Sequence, residues 1–381
     1  MSTLKVGAIR GVSASSDAIT VASDGTCSAN ITSVNGGALS NRNLLINGDM
    51  RVSERHGTTS KALTNAEFSL DRWQVVNDNA ASKFTTQQVA DAPAGFYYSL
   101  KMTSSSAYTP LSTEVFGVGQ KIEGLNTSWL GFGAANPKSI TISFFVKSSL
   151  TGTFGGSVLN SDMTRGFPYT YTISDANTWE KKTVTVPGVA TGSWVVTNGT
   201  GIRVHWSMGA GANRTDTAGQ WSTTQYSFHP TGATNVVGTN AATLQITGCQ
   251  VEEGSVATDF EHRPISQELA LCQRYYYKHC EGNDKDICSG GYYRSDLSLG
   301  SVHFPVSMRT SPSLDHTTGT DYYGIYANNT FDKFNNFQLV SGGPNSAALD
   351  SLTGTGGTLG HAGRIATAAN TAAYIAFSAE L

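Results

Sequence analysis

This sequence predicts an all-β protein: an antiparallel jelly-roll β-sandwich, a short linking helix, and a second, smaller β-rich domain. Three observations carry that expectation. Runs of β-branched and aromatic residues alternate with polar ones along the chain, separated by Gly, Asn and Ser. Only 14% of the residues are Asp, Glu, Lys or Arg, whereas 41 are Gly. Such a chain builds short strands and many turns, and solvates its surface with hydroxyls and amides. Finally, 381 residues exceed one ordinary core, at about 100–200 residues per domain.

Residues 1–43 read as an N-terminal attachment arm. "DAITVASDGTCSANITSV" holds two alternating runs about Asp24 and Gly25, a hairpin signal. Its apolar surface is too small to fold alone, so it is expected to pair with other chains or a docking partner. Residues 44–263 read as the sandwich. "NLLINGDMRVS", "LDRWQVV" and "FYYSLKMTS" predict short strands. In "SITISFFVKSS", Ile140, Ile142, Phe144 and Val146 point one way, and Thr141, Ser143, Phe145 and Lys147 the other. "WEKKTVTVPG" places Val184 and Val186 on one face. In "IRVHWSMG", Ile202, Val204, Trp206 and Met208 share a face opposite Arg203 and His205. Trp73, Trp179 and Trp206 are expected in the core. In the closing strand, Leu244 and Ile246 set an inward phase that would turn Cys249 and Val251 outward. A β-bulge at Thr247-Gly248 restores the phase.

Residues 264–280 read as the linking helix. Pro264 ends the extended segment, and Ser266 is placed to cap a helix beginning at Gln267 and running about 12 residues. Leu269, Cys272 and Tyr276 form one stripe, with Leu271 and Tyr275 beside it. That helix lies either on its own sandwich or around a symmetry axis. In the second case Leu269, Leu271, Cys272 and Tyr276 are the oligomer interface. Residues 281–381 return to strands, in "SLGSVHFPVSMRT", "YYGIYANN", "FQLVSGG" and "AAYIAFSAEL".

The formal net charge is −3 with no basic stripe, which argues against nucleic acid. No stretch approaches the roughly 18 apolar residues of a membrane span, so no insertion is expected. The first residues lack the apolar run of an export signal. Cys272, Cys280 and Cys288, near His279 and His303, are spaced too widely for a usual zinc site and read as reduced thiols. Hydrolase, P-loop and dinucleotide motifs are absent, and the spacing of Asp49, Glu123, Glu252, Glu253 and Asp259 pairs no two carboxylates. No enzyme is expected. Asp49, Glu252 and Asp259 offer hard oxygen ligands for a structural calcium ion, or are solvated turn residues. Tyr97, Phe145, Arg203 and His205, with Lys101, fall on polar sides of their strands by alternation. They line a sugar-binding sheet face, or a face covered by a loop or a neighbouring subunit.

"NLLINGDMRVSER", "LDRW", "ITISFFVKSS", "WEKKTVTVPG" and above all "QVEEGSVATDFEHRPISQELALCQRYY" together resemble virion proteins of tailed bacteriophages. These are tail fibres and related spikes carrying a jelly roll similar to carbohydrate-binding modules. The opening "STLKV" and "SDAITVASDGTCSANIT" resemble their attachment segment. The resemblance implies a homotrimer on the virion surface, assembled in the host cytoplasm. Other virion proteins would hold it through residues 1–43, and it would recognise a host glycan. A head decoration or tail adaptor without glycan binding, or a polysaccharide-degrading spike, are the alternatives. The sequence departs from the usual closing phrase at Asp259, where Pro is common.

Overall fold

The computed structural model describes residues 8–9, 19–21, 27–29, 41–351, 355–368 and 370–381. Ala8–Ile9, Ile19–Val21 and Cys27–Ala29 form a three-stranded antiparallel sheet. Val21 pairs with Cys27, as a hairpin about Asp24 and Gly25 requires, but the turn itself lies outside the described residues.

Two antiparallel sheets form the sandwich. The six-stranded sheet runs in the order Gly166–Ile173, Gly152–Leu159, Thr200–Ala210, Val115–Glu123, Trp73–Asn77, Phe68–Leu70. The five-stranded sheet runs Glu180–Val186, Ile140–Ser148, Thr243–Glu253, Ser99–Ser104, Phe84–Val89. The chain crosses repeatedly between sheets, as in a jelly roll. Alternation sets the core. Ile202, Val204, Trp206 and Met208 from one sheet meet Ile140, Ile142, Phe144 and Val146 from the other. The Trp206 ring lies 5.4 Å from Trp73 and sits edge-on to Phe144 at 5.6 Å.

The closing strand carries the expected bulge. Thr247 pairs with Phe145 and Gln250 with Ser143, so three steps on one strand match two on its neighbour. Gly248 takes φ +59°, and a Cβ there would meet the Phe96 ring at 2.7 Å. The slip turns Cys249 and Val251 into the core beside Leu244 and Ile246.

Two expectations need correction. "NLLINGDMRVS" is not a strand, because Asn side chains take the backbone partners a neighbouring strand would supply. Asn43 accepts from the amides of Leu45 and Val251, and Asn47 accepts from the amide of Val52 and donates to the carbonyls of Val52 and Asp71. The helix spans Ile265–Gln273, shorter and earlier than expected, with Pro264 and not Ser266 at its N-cap. Pro264 supplies the first carbonyl, to Gln267 and Glu268, and its fixed φ suits a helix entry. The tyrosines leave the helix altogether. Tyr276–Glu281 is a strand paired with Tyr374–Ser378, so the second domain begins earlier than residue 281.

That domain holds a three-stranded sheet, Tyr276–Glu281, Tyr374–Ser378, Ser313–His316. Its seven-stranded sheet runs Thr330–Phe334, Tyr323–Ala327, Ala362–Thr367, Asp286–Arg294, Leu297–His303, Ser346–Asp350, Gln338–Gly342. Its core gathers Ile287, Tyr323, Ile325, Phe334, Ile365 and Phe377. The two domains are tied by charge as well as by the helix. Buried Glu123 accepts from Arg274 at 2.7 Å and from the Tyr275 hydroxyl at 2.7 Å. Glu380 pairs with Arg72 and Arg55.

Candidate functional site

Alternation placed Tyr97, Phe145, Arg203 and His205 outward, but the structure does not bring them together. Phe145 lies on the outer side of the five-stranded sheet, and Arg203 and His205 on the outer side of the six-stranded sheet. Tyr97 precedes the strand Ser99–Ser104 and stands in a loop, 67% exposed. His205 is only 2% exposed. The segment returning through Phe228 covers it, with the rings 5.4 Å apart and edge-on. Burial first, then His229 beside it, pushes the His205 imidazole down to about 3. Phe145 is roofed as well. Phe96 packs on it at 5.4 Å, and Phe260 and His262 close over Phe96 at 5.1 and 5.3 Å. This aromatic stack anchors two loops at the bulge and leaves little of the Phe145 ring free.

Beside that stack, the outer side of the five-stranded sheet carries a polar row in which Gln245 is buried and accepts from the Ser99 hydroxyl at 3.1 Å. Gln87 pairs with Lys101, Lys101 with Gln245, and Gln245 with Lys147. Their side chains point outward from one line across four strands, about 14 Å at the usual strand spacing. Trp179 extends the row beyond Lys147. The Lys147 ammonium lies 5.2 Å from its ring centroid, and the indole N–H donates to Asp91 at 3.3 Å. Lys147 also pairs with Asp91. Burial works to raise the Asp91 pKa, but hydrogen bonds from Lys147, Trp179 and Gln245 outweigh it and hold the carboxyl below its ordinary value. The indole is therefore fixed in orientation while partly exposed, which corrects its expected place in the core. Tyr97 stands on the same loop as Asp91, between the strands Phe84–Val89 and Ser99–Ser104, edge-on to Tyr98 at 4.6 Å. A fixed indole face, an exposed phenol, the Gln87 amide and two ammonium groups can stack on an apolar ring face and bond its hydroxyls.

Sequence reasoning had Lys101, Lys147 and Phe145 on outward faces but missed Gln87, Gln245, Asp91 and Trp179. Gln245, between core residues Leu244 and Ile246, was findable by alternation. Trp179 was not, since it lies just before its strand begins at Glu180.

The three calcium candidates stay apart. Asp49 pairs with Arg51. Glu252 accepts from the Thr258 amide and hydroxyl at 2.8 and 2.7 Å and from Gln250 at 2.9 Å. Asp259 contributes its carbonyl to Arg42 and Gln250, while its side chain is exposed. Among the described residues no group of three or more His, Cys, Asp or Glu side chains gathers to hold a metal. Of the helix residues assigned to an oligomer interface, Cys272 and Tyr276 are buried within this one chain, so they have no surface to offer a second copy. Cys272 packs with Ile46, Val52 and Tyr275, and Leu269 and Leu271 lie half-buried against that cluster.

No protein-family model and no curated protein matches this chain. Solved structures similar to it include a candidate sugar-binding protein from Bacteroides thetaiotaomicron, 13% identical over 56% of this chain and 100% of that one, with a TM-score of 0.34. Another is the family 11 carbohydrate-binding module from Clostridium thermocellum in complex with a β-1,3-1,4-mixed-linked tetrasaccharide, 12% identical over 54% of this chain and 99% of that one, TM-score 0.27. A third is tailspike protein 4 of bacteriophage CBA120, 10% identical over 50% of this chain but 21% of that one, TM-score 0.28. At these identities and scores none of them transfers a ligand to this chain.

Proposed function

We propose that this protein binds carbohydrate, without cleaving it, on the outer face of its five-stranded sheet. One observation carries the reading: Gln87, Lys101, Gln245 and Lys147 stand in a single row that ends on the oriented indole of Trp179. Donors and acceptors at regular strand spacing suit a hydroxyl-rich oligosaccharide lying across the strands. Trp179 and Tyr97 would supply the stacking surfaces. A glycan array on the full chain should show binding that Trp179→Ala abolishes and Tyr97→Ala weakens, both with unchanged melting temperature. Phe145→Ala, by contrast, should lower the melting temperature, because its ring lies under Phe96. An array with no hits, or binding indifferent to Trp179, sinks the reading and favours a structural decoration or adaptor. Release of reducing ends from a bound polysaccharide would favour a degrading spike instead.

The sequence resemblance to tailed-phage virion proteins supports setting this face on a virion surface, in a homotrimeric fibre held through residues 1–43. Light scattering is the test. A mass near three times 40.2 kDa is expected, and a lone monomer would overturn the trimer.

A further inference from the structure

The outer face of the six-stranded sheet carries a different kind of site. Lys121 and Arg203 are direct cross-strand partners there. Like charges placed opposite one another destabilise a sheet unless something lies between them. Arg214 adds a third cation to the same groove, a cavity of about 260 Å³ also lined by Gln74, Tyr226 and Phe228. The three cations donate to main-chain oxygens, and the carboxylates that act on them stand farther off. Arg203 donates to the Ser161 carbonyl at 2.9 and 3.2 Å, Arg214 to Thr113 at 2.6 Å, and Lys121 to the main-chain oxygen of Leu381 at 2.7 Å. Asp78, which also lines the groove, accepts from Asn65 at 3.2 Å and acts on Arg214 from a distance, as Asp162 does on Arg203 and Glu380 on Lys121. Arg214 is pinned over the Tyr226 ring at 4.3 Å, which fixes its guanidinium plane.

We propose that this groove binds the carboxylate of an acidic sugar residue. The guanidinium fork of Arg203 has donors left over from Ser161, and Arg and carboxylate match in planar geometry. Tyr226 and Phe228 offer apolar walls for the ring that carries the carboxylate. The volume suits one monosaccharide rather than a long oligomer. A burial cost also favours an anion here. Desolvation, then Arg203 and Arg72, pushes the Lys121 ammonium down to about 8, and a bound carboxylate would relieve that repulsion. This site is separate from the polar row on the opposite sheet and does not depend on it.

The test is calorimetric titration of the full chain with a panel of uronate- and sialate-bearing oligosaccharides, their carboxyl-reduced neutral counterparts, and inorganic phosphate. At least one acidic member should bind, more weakly at high salt. Its affinity should fall at least about tenfold in Arg203→Gln, the loss expected for a charge-assisted bond. Arg203→Gln keeps a donor for Ser161. If it nevertheless misfolds, Arg214→Ala is expected to give the same loss. Trp179→Ala, on the other face, should leave this binding unchanged. The proposal is overturned if no acidic member binds, if reduced and acidic forms bind alike, if neither variant alters affinity, or if phosphate binds as tightly as the sugar.

Discussion

The two outer faces of the sandwich are built by the same alternation and end up chemically unlike. On the five-stranded sheet Lys147 pairs with Asp91, which also accepts from the Trp179 indole. On the six-stranded sheet Lys121 stands beside Arg203, each donating to a main-chain oxygen, with Glu380 and Asp162 acting on them from a distance. The first face is a settled polar surface, suited to a neutral polymer. The second gathers three cations about one lining carboxylate, Asp78, over aromatic walls. Strand register determines which side chains point outward. Whether they are reachable depends on what the connecting segments lay over them.

Removing such a cover should have the largest effect. Phe228 is buried and shields His205. Phe228→Ala should cost about 3 kcal/mol of stability, in the range of large-to-small core changes. It should also let water reach the imidazole, so that the His205 pKa measured by NMR titration climbs back toward its ordinary value. A stable variant with a still-depressed His205 would mean that the rest of the segment, not Phe228, forms the roof.

The next effect is a pH dependence with two opposed parts. His205 is held down to about 3 and His229 down to about 4, both chiefly by burial. Unfolded, each would take a proton near 6.5. Their contribution is therefore whole above about pH 6.5 and is lost as the pH falls toward their folded values. At the domain joint the sign reverses. Burial, then the charge of Asp71, raises Glu54 to about 7, and burial raises Asp71 to about 6. These carboxyls favour the fold when protonated, so acidification from pH 7 to 5 strengthens their contribution. His205→Leu removes one histidine part alone. Its unfolding free energy relative to the parent's should rise from pH 8 to pH 5, by about 2 kcal/mol at the acid end. A margin that does not change with pH would mean that His205 titrates alike folded and unfolded.

Much of the fold was legible because alternation is a strong signal wherever one face of a strand is buried. The strands Ile140–Ser148 and Thr200–Ala210 have the facing read from their sequences. The bulge was legible for the same reason, since Cys249 and Val251 reach the core only through a slip. The helix end was not. Leu269, Cys272 and Tyr276 fit helical spacing, but the backbone of Tyr276 is drawn into a sheet by Ser378, more than a hundred residues away. Local spacing cannot register such a partner. The site was half legible for a related reason. Arg203 and Phe145 are both outward, yet which sheet each strand joins is a property of topology. That assignment separated residues grouped by pattern alone and covered two of them.

The smallest expected effect is the sharpest test of the contrast, because it predicts opposite signs for one kind of substitution. Lys147→Met breaks a pair whose Asp91 side chain is 48% exposed. Such surface pairs contribute roughly 0–1 kcal/mol, so a slight loss of stability is expected. Lys121→Met removes a half-buried ammonium from beside Arg203. At pH 7 that ammonium is charged although the fold disfavours its charge, so its removal should raise stability slightly, by about 0.2–1 kcal/mol for a relieved cross-strand repulsion. Denaturant midpoints of the two variants, measured side by side at low salt, should move in opposite directions and converge at high salt. A loss in both would mean that the Lys121 bond to Leu381 outweighs the repulsion, and the groove would then be electrostatically settled like the other face.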